Sequence, residues 1–103
     1  RDVEFAEGTF VAASATINPG TKIGKNVIVN TSSSIDHDCW IEDFVHIAPG
    51  AILCGTVTVG EGTHIGIGAN IIQSIKIGKG AFISAGRIVK RDVADGTWEK
   101  ELV

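Results

Sequence analysis

The chain of 103 residues contains no methionine, two prolines and two cysteines. With no Met and an opening at Arg1, it is expected to be a piece of a longer protein or a processed form. No apolar run approaches the ~18 residues of a membrane-spanning helix, and no secretory signal is visible, so no membrane partner is expected. Cys39 and Cys54 are too few for a disulfide framework and lack the spacing of metal ligands. Free thiols in a reducing cytoplasm are expected, and no metal site. The net charge is −3, and no Lys or Arg falls between Asn26 and Ile75. The basic face that nucleic acid requires is therefore missing.

What is present is a beat of six. Stepping from Phe5, the residues are Phe5, Val11, Ile17, Ile23, Val29, Ile35, Ile41, Ile47, Leu53, Val59, Ile65, Ile71, Ile77, Ile83 and Val89, all large and apolar. Two residues before each of them the side chain is mostly small, as at Thr21, Ser33, Cys39, Ala51, Thr63, Ala69 and Ala81. A period of six is the signature of a parallel β-helix built from hexapeptides. Three short strands close a triangular coil of about 18 residues, and inward aliphatics of successive coils stack into a continuous core. Residues 5–89 give four to five coils in an all-β domain. Residues 90–103 lose the beat and are expected to form a separate C-terminal tail.

Alternate residues of a strand point to opposite sides, so the residue before each aliphatic faces outward. One face carries Phe10, Ile28, His46, His64 and Phe82. A second carries Thr16, Ser34, Ile52, Asn70 and Ile88, and the third Lys22, Trp40, Thr58 and Lys76. The first face has no Lys or acid, which favours an interface over a wet surface. A face packed on a corner of a second copy is a heterologous contact, and such contacts close into rings. A homotrimer is expected.

Asn30 to Cys39 (NTSSSIDHDC) is the least repeat-like segment. Asp36-His37-Asp38 stands where a glycine bend is expected. A carboxylate beside an imidazole favours its protonated form, which suits a general base working near neutral pH. The same segment also reads as a solvated polar turn. His46 follows His37 by nine residues, half a coil, so within one chain the two point apart; across a face-to-corner contact they could meet. His46 and His64 also read as packing residues of the first face. Lys76, Lys79, Arg87, Lys90 and Arg91 crowd the C-terminal end, where they would either meet the phosphates of an anionic ligand or act as a charged cap.

With these residues in place, the chain resembles the left-handed β-helix acyltransferases, specifically the group of sialic-acid O-acetyltransferases and bacillosamine-type sugar N-acetyltransferases. The likeness runs over about residues 10–92 and rests on NTSSSIDHDC, VHIAPGA and LCGTVTVG. It implies the left hand, which the sequence itself does not show. It implies acetyl-CoA as donor, and the amino or hydroxyl group of a sugar, often nucleotide-linked, as acceptor. Residue by residue, His37 matches the family's general base and Asp38 the acid that increases its basicity. His46 matches a residue near the thioester, Gly55 one whose N–H receives the carbonyl oxygen, and Asn30 one lining the acceptor site. Ile67 and Ala85 match positions along the pantetheine groove. The family's N-terminal βαβ-type subdomain has no counterpart in these residues, and the tail (DGTWEKELV) departs from its usual G-x-P-A ending. Two other readings stay open: a trimerising β-helix module without acceptor binding, and a zinc enzyme of the γ-carbonic anhydrase type, which would need three His ligands meeting across an interface.

Overall fold

A computed structural model describes residues 3–99. It is a left-handed parallel β-helix of about five turns, with sixteen two-residue strands in three parallel sheets and no helix among the described residues. No helix there is long and apolar enough to cross a membrane. Neighbouring strands are eighteen residues apart in sequence, as in Trp40↔Thr58, His46↔His64 and Ile52↔Asn70. Sheet A runs through Glu4–Phe5, Lys22–Ile23, Trp40–Ile41, Thr58–Val59 and Lys76–Ile77. Sheet B contains Phe10–Val11, Ile28–Val29, His46–Ile47, His64–Ile65 and Phe82–Ile83, and sheet C contains Ser34–Ile35, Ile52–Leu53 and Asn70–Ile71. The prism measures 39 × 24 × 23 Å.

The beat becomes the core. Val29, Ile35, Ile41, Ile47, Leu53, Val59, Ile65, Ile71 and Ile83 are all fully buried in one cluster. Phe5 and Val11 hold the same inward position but are exposed, because the first coil is covered on one side only. The small residues two before each aliphatic are buried too, and the threonines among them stitch coils together. Thr63 Oγ1 donates to the Gly78 carbonyl at 2.6 Å and accepts from the Ala81 amide at 3.0 Å. Thr21 repeats the pattern with the Asp36 carbonyl and the Cys39 amide. A buried hydroxyl is tolerated when both its roles are filled. Thr63→Val keeps the shape and removes both bonds, so it is expected to cost about 1–3 kcal/mol of unfolding free energy. Urea unfolding checks this; a variant as stable as the parent would deny the stitching role.

Corners turn through a left-handed residue. Glycine supplies it at Gly50, Gly62, Gly68, Gly80 and Gly86, but Asp38 (φ 55°), Phe44 (φ 61°) and Thr56 (φ 61°) do so as well. Asp accepts this conformation readily, whereas a bulky or β-branched side chain is strained by it.

The chain does not leave the prism at Val89, where the beat of six ends. A four-residue step brings Val93 inward, bridged to Ile77 and 7% exposed. Trp98–Glu99 then pairs with Phe82–Ile83 as the outermost strand of sheet B. The lag in this last coil is sixteen residues rather than eighteen, because the corner between Val89 and Val93 is two residues shorter. The remainder of the expected tail, residues 100–103, lies outside the described residues.

Candidate active site

The corner between sheets C and A carries His37. Asp36 shapes it: its Oδ1 accepts the His37 backbone N–H at 2.8 Å and the Asn18 side-chain amide at 2.9 Å. The Asn18 amide first, and the His37 amide second, hold the Asp36 carboxyl below its ordinary range. The imidazole Nδ1 lies 3.0 Å from Asp38 Oδ2. A carboxylate only accepts, so Nδ1 carries the proton and the neutral ring leaves Nε2 as its lone-pair nitrogen. The His37 side chain is 57% exposed, open to a reactant.

Gly55 lies one coil on, beneath the ring. A Cβ there would meet the imidazole Nε2 and would lie 2.7 Å from Cε1 and 3.0 Å from Cδ2. Its φ is not left-handed, so glycine is required here for clearance, not for the turn. The Gly55 carbonyl accepts from Ser74, while its N–H takes part in no hydrogen bond among the described residues. At the equivalent place four other corner amides are engaged, Lys25 by Asp43, Thr31 by Asn30, Glu61 by Glu42 and Lys79 by Asp95. Those of Glu7, Ala13, Asp43 and Gln73 are unengaged, as at Gly55, and so are those of Ile67 and Ala85, which stack on the corner between sheets B and C. Both residues are exposed, Ile67 at 61%.

His46 lies on sheet B and Asn30 directly follows that sheet's strand Ile28–Val29, with Asn30 Nδ2 3.3 Å from His46 Nε2. That sheet is opposite the His37 corner. One chain thus brings His37, Asp38 and Gly55 together on one side, and Asn30 and His46 on the other, with Ile67 and Ala85 at the near edge of sheet B. Above His46 runs a ladder of rings: His64 edge-on at 4.8 Å, then Phe82 stacked on His64 at 5.2 Å, then Trp98 at 5.2 Å from Phe82. Sequence reasoning placed His46, His64 and Phe82 on one face; Trp98 joins them only through the shortened last coil. Among the described residues no three His, Cys, Asp or Glu side chains converge as metal ligands within the chain.

Burial, and then the neighbouring His46, push the His64 pKa below its ordinary value of 6.5. The folded state therefore holds this proton less tightly than the unfolded chain. Its contribution to stability is intact above 6.5 and is lost as pH falls below that value. His64→Phe, which keeps a ring in the ladder, is expected to reduce the fall in Tm between about pH 6.5 and pH 5. An undiminished fall in thermal melts would contradict the assignment.

Cys39 is buried, and desolvation raises its thiol pKa; its Sγ donates to the Cys54 carbonyl at 3.2 Å. It is a poor nucleophile. At the C-terminal end a groove of about 390 Å³ is lined by residues 87–93, including Arg87, Lys90 and Arg91.

No family model matches the sequence. Solved structures do match. The acetyltransferase domain of PglB from Neisseria gonorrhoeae, in complex with acetyl coenzyme A, is 35% identical with a TM-score of 0.83 over 94% of this chain and 50% of that one. A perosamine N-acetyltransferase variant from Caulobacter crescentus, in complex with CoA and GDP-perosamine, is 30% identical with a TM-score of 0.83 over 93% of this chain and 49% of that one. WeeI from Acinetobacter baumannii is 30% identical with a TM-score of 0.71 over 93% of this chain and 50% of that one. The chain spans about half the length of these structures. The resemblance to hexapeptide-repeat sugar acetyltransferases read from the sequence holds in these neighbours.

Proposed function

We propose that this chain is the catalytic β-helix of an acetyl-CoA-dependent sugar N-acetyltransferase, with its site shared between subunits of a homotrimer. One observation carries the reading: an imidazole held by a carboxylate at Nδ1, with Nε2 lying over a glycine whose N–H is unused. That is a base and an oxyanion donor side by side. The bound CoA of the structural neighbours supports a thioester donor.

In this reading the acceptor amine attacks the thioester carbonyl carbon as His37 Nε2 takes its proton. Negative charge builds on the carbonyl oxygen, and the Gly55 N–H donates to it. The C–S bond then breaks, and the departing thiolate recovers the proton from the imidazolium. Asp38 fixes the tautomer and stabilises the charged ring. No covalent enzyme intermediate is needed, which agrees with the inert Cys39. The free amides of Ile67 and Ala85 suit the amide carbonyls of the pantetheine arm. The groove at Arg87, Lys90 and Arg91 suits its phosphates. His46 and Asn30, on the face of the adjoining subunit, line the cleft near the thioester and acceptor. The free thiols agree with work in a reducing cytoplasm.

The test is turnover: release of CoA thiol from acetyl-CoA with a nucleotide-linked 4-amino sugar as acceptor. The account expects acetylated amine in equal amount to thiol. Protein that binds acetyl-CoA yet transfers nothing to any amino or hydroxyl sugar would leave a trimerising module instead.

A further inference from the structure

We propose that Asn18 is a positioning residue for His37 and acts on it through Asp36. This rests on the reading above and adds to it what holds the base in place. The bend Asn18-Pro19-Gly20-Thr21 belongs to the preceding coil and stacks on the His37 corner, since the strands on either side of it pair with those that flank His37. It grips that corner at separate points. Asn18 Nδ2 donates to Asp36 Oδ1 at 2.9 Å. The Thr21 hydroxyl donates to the Asp36 carbonyl at 3.0 Å, and the Pro19 carbonyl accepts the Asp38 N–H at 3.1 Å. The oxygen that Asn18 holds is the one that accepts the His37 N–H, at 2.8 Å. Asn18 therefore reaches the peptide of the base through one shared atom.

The same corner in the following coils lacks this link. Gly55 and Gln73 stack on His37 at the lag of eighteen, with Cys54 and Ile72 in the place of Asp36. Neither Cys nor Ile supplies a carboxylate, and the N–H groups of Gly55 and Gln73 are unengaged among the described residues. At His37 the peptide is bound on both sides, its N–H by Asp36 and its carbonyl by the Thr56 N–H at 2.9 Å. Asp38 orients the ring at Nδ1, while Asp36 fixes the backbone from which the ring projects. An Asp carboxylate has a broad, two-fold terminal torsion and does not hold one oxygen on a chosen donor by itself. The second, charge-assisted bond from Asn18 supplies that restraint. Without it the Asp36 oxygen can exchange the His37 amide for water, and the exposed imidazole loses a fixed base.

Two variants test this. Asn18→Ala removes the donor, and Asn18→Asp keeps the shape but puts an acceptor in its place. Each is expected to lower kcat by about 10- to 100-fold, the scale set by a displacement of up to about 1 Å at a reacting group. KM for acetyl-CoA and the sedimentation coefficient should not change. Because the effect passes through Asp36, it should not multiply with that of Asp36→Ala; the double variant with Asn18→Ala should be no slower than Asp36→Ala alone. A readout independent of turnover is the carbon-bound ring protons of His37 in NMR spectra, which should shift or broaden in both Asn18 variants while those of His46 and His64 stay in place. Parental kcat in both variants overturns the proposal. So do losses that multiply in the double variant, an unmoved His37 signal, or a loss that vanishes once turnover is counted per folded molecule. A parent protein that transfers no acetyl group would sink the transferase reading instead, and the His37 signal would still decide whether Asn18 holds the ring.

Discussion

His37→Ala is expected to lower kcat by about 10²–10⁴-fold, the usual contribution of a positioned general base. Affinity for acetyl-CoA should survive, because nothing in the donor groove depends on the imidazole. Stability should survive too: the side chain is 57% exposed and belongs to no core cluster. Surface changes of that kind are usually within about 0.5 kcal/mol. Steady-state kinetics, with calorimetry on the same sample, separates these effects. Turnover at the parental rate would remove His37 from the mechanism.

Gly55→Ala is expected to be nearly as damaging, by a different route. The methyl group would enter the space of the His37 ring, with Cε1 only 2.7 Å away. The imidazole must swing off, and Nε2 leaves the line between the acceptor amine and the thioester. A displacement of about 1 Å at a reacting centre can cost about 10²-fold in rate. The backbone does not resist alanine here, so Tm should change little. The signature is a folded, donor-binding protein with low kcat. A Gly55→Ala enzyme with normal turnover would show that the ring does not act from where it rests.

The beat from Phe5 to Val89 made the fold legible because each inward position of the prism needs the same thing, a large aliphatic. Faces followed from alternation, and so did the stacking of His46 on His64. Gly55 entered the sequence reading only through the family resemblance; its place against the His37 ring, one coil on, appears once the coils are stacked. Other features left no mark in the pattern. Val93 and Trp98 escape it because the last corner is two residues shorter, which shifts the beat without ending the solenoid. Phe44 and Thr56 occupy left-handed corners against their own preference, so a search for glycines passes over them. The amide of Asn18 reaches Asp36 across one full coil, a link that appears only once the coils are stacked. The unused amides of Gly55, Ile67 and Ala85 are a property of backbone accounting, invisible in side-chain identity.

Mixing tests the shared cleft most directly. In the proposed trimer, His37→Ala and His46→Ala should each spoil every site of a pure assembly, yet spoil opposite halves. When equal amounts are unfolded together and refolded, each mixed ring contains one junction with an intact His37 and an intact His46. Random assembly of three subunits should then restore about a quarter of parental activity. A refolded mixture no more active than its two parents would contradict a site built by one chain's corner on the next chain's face.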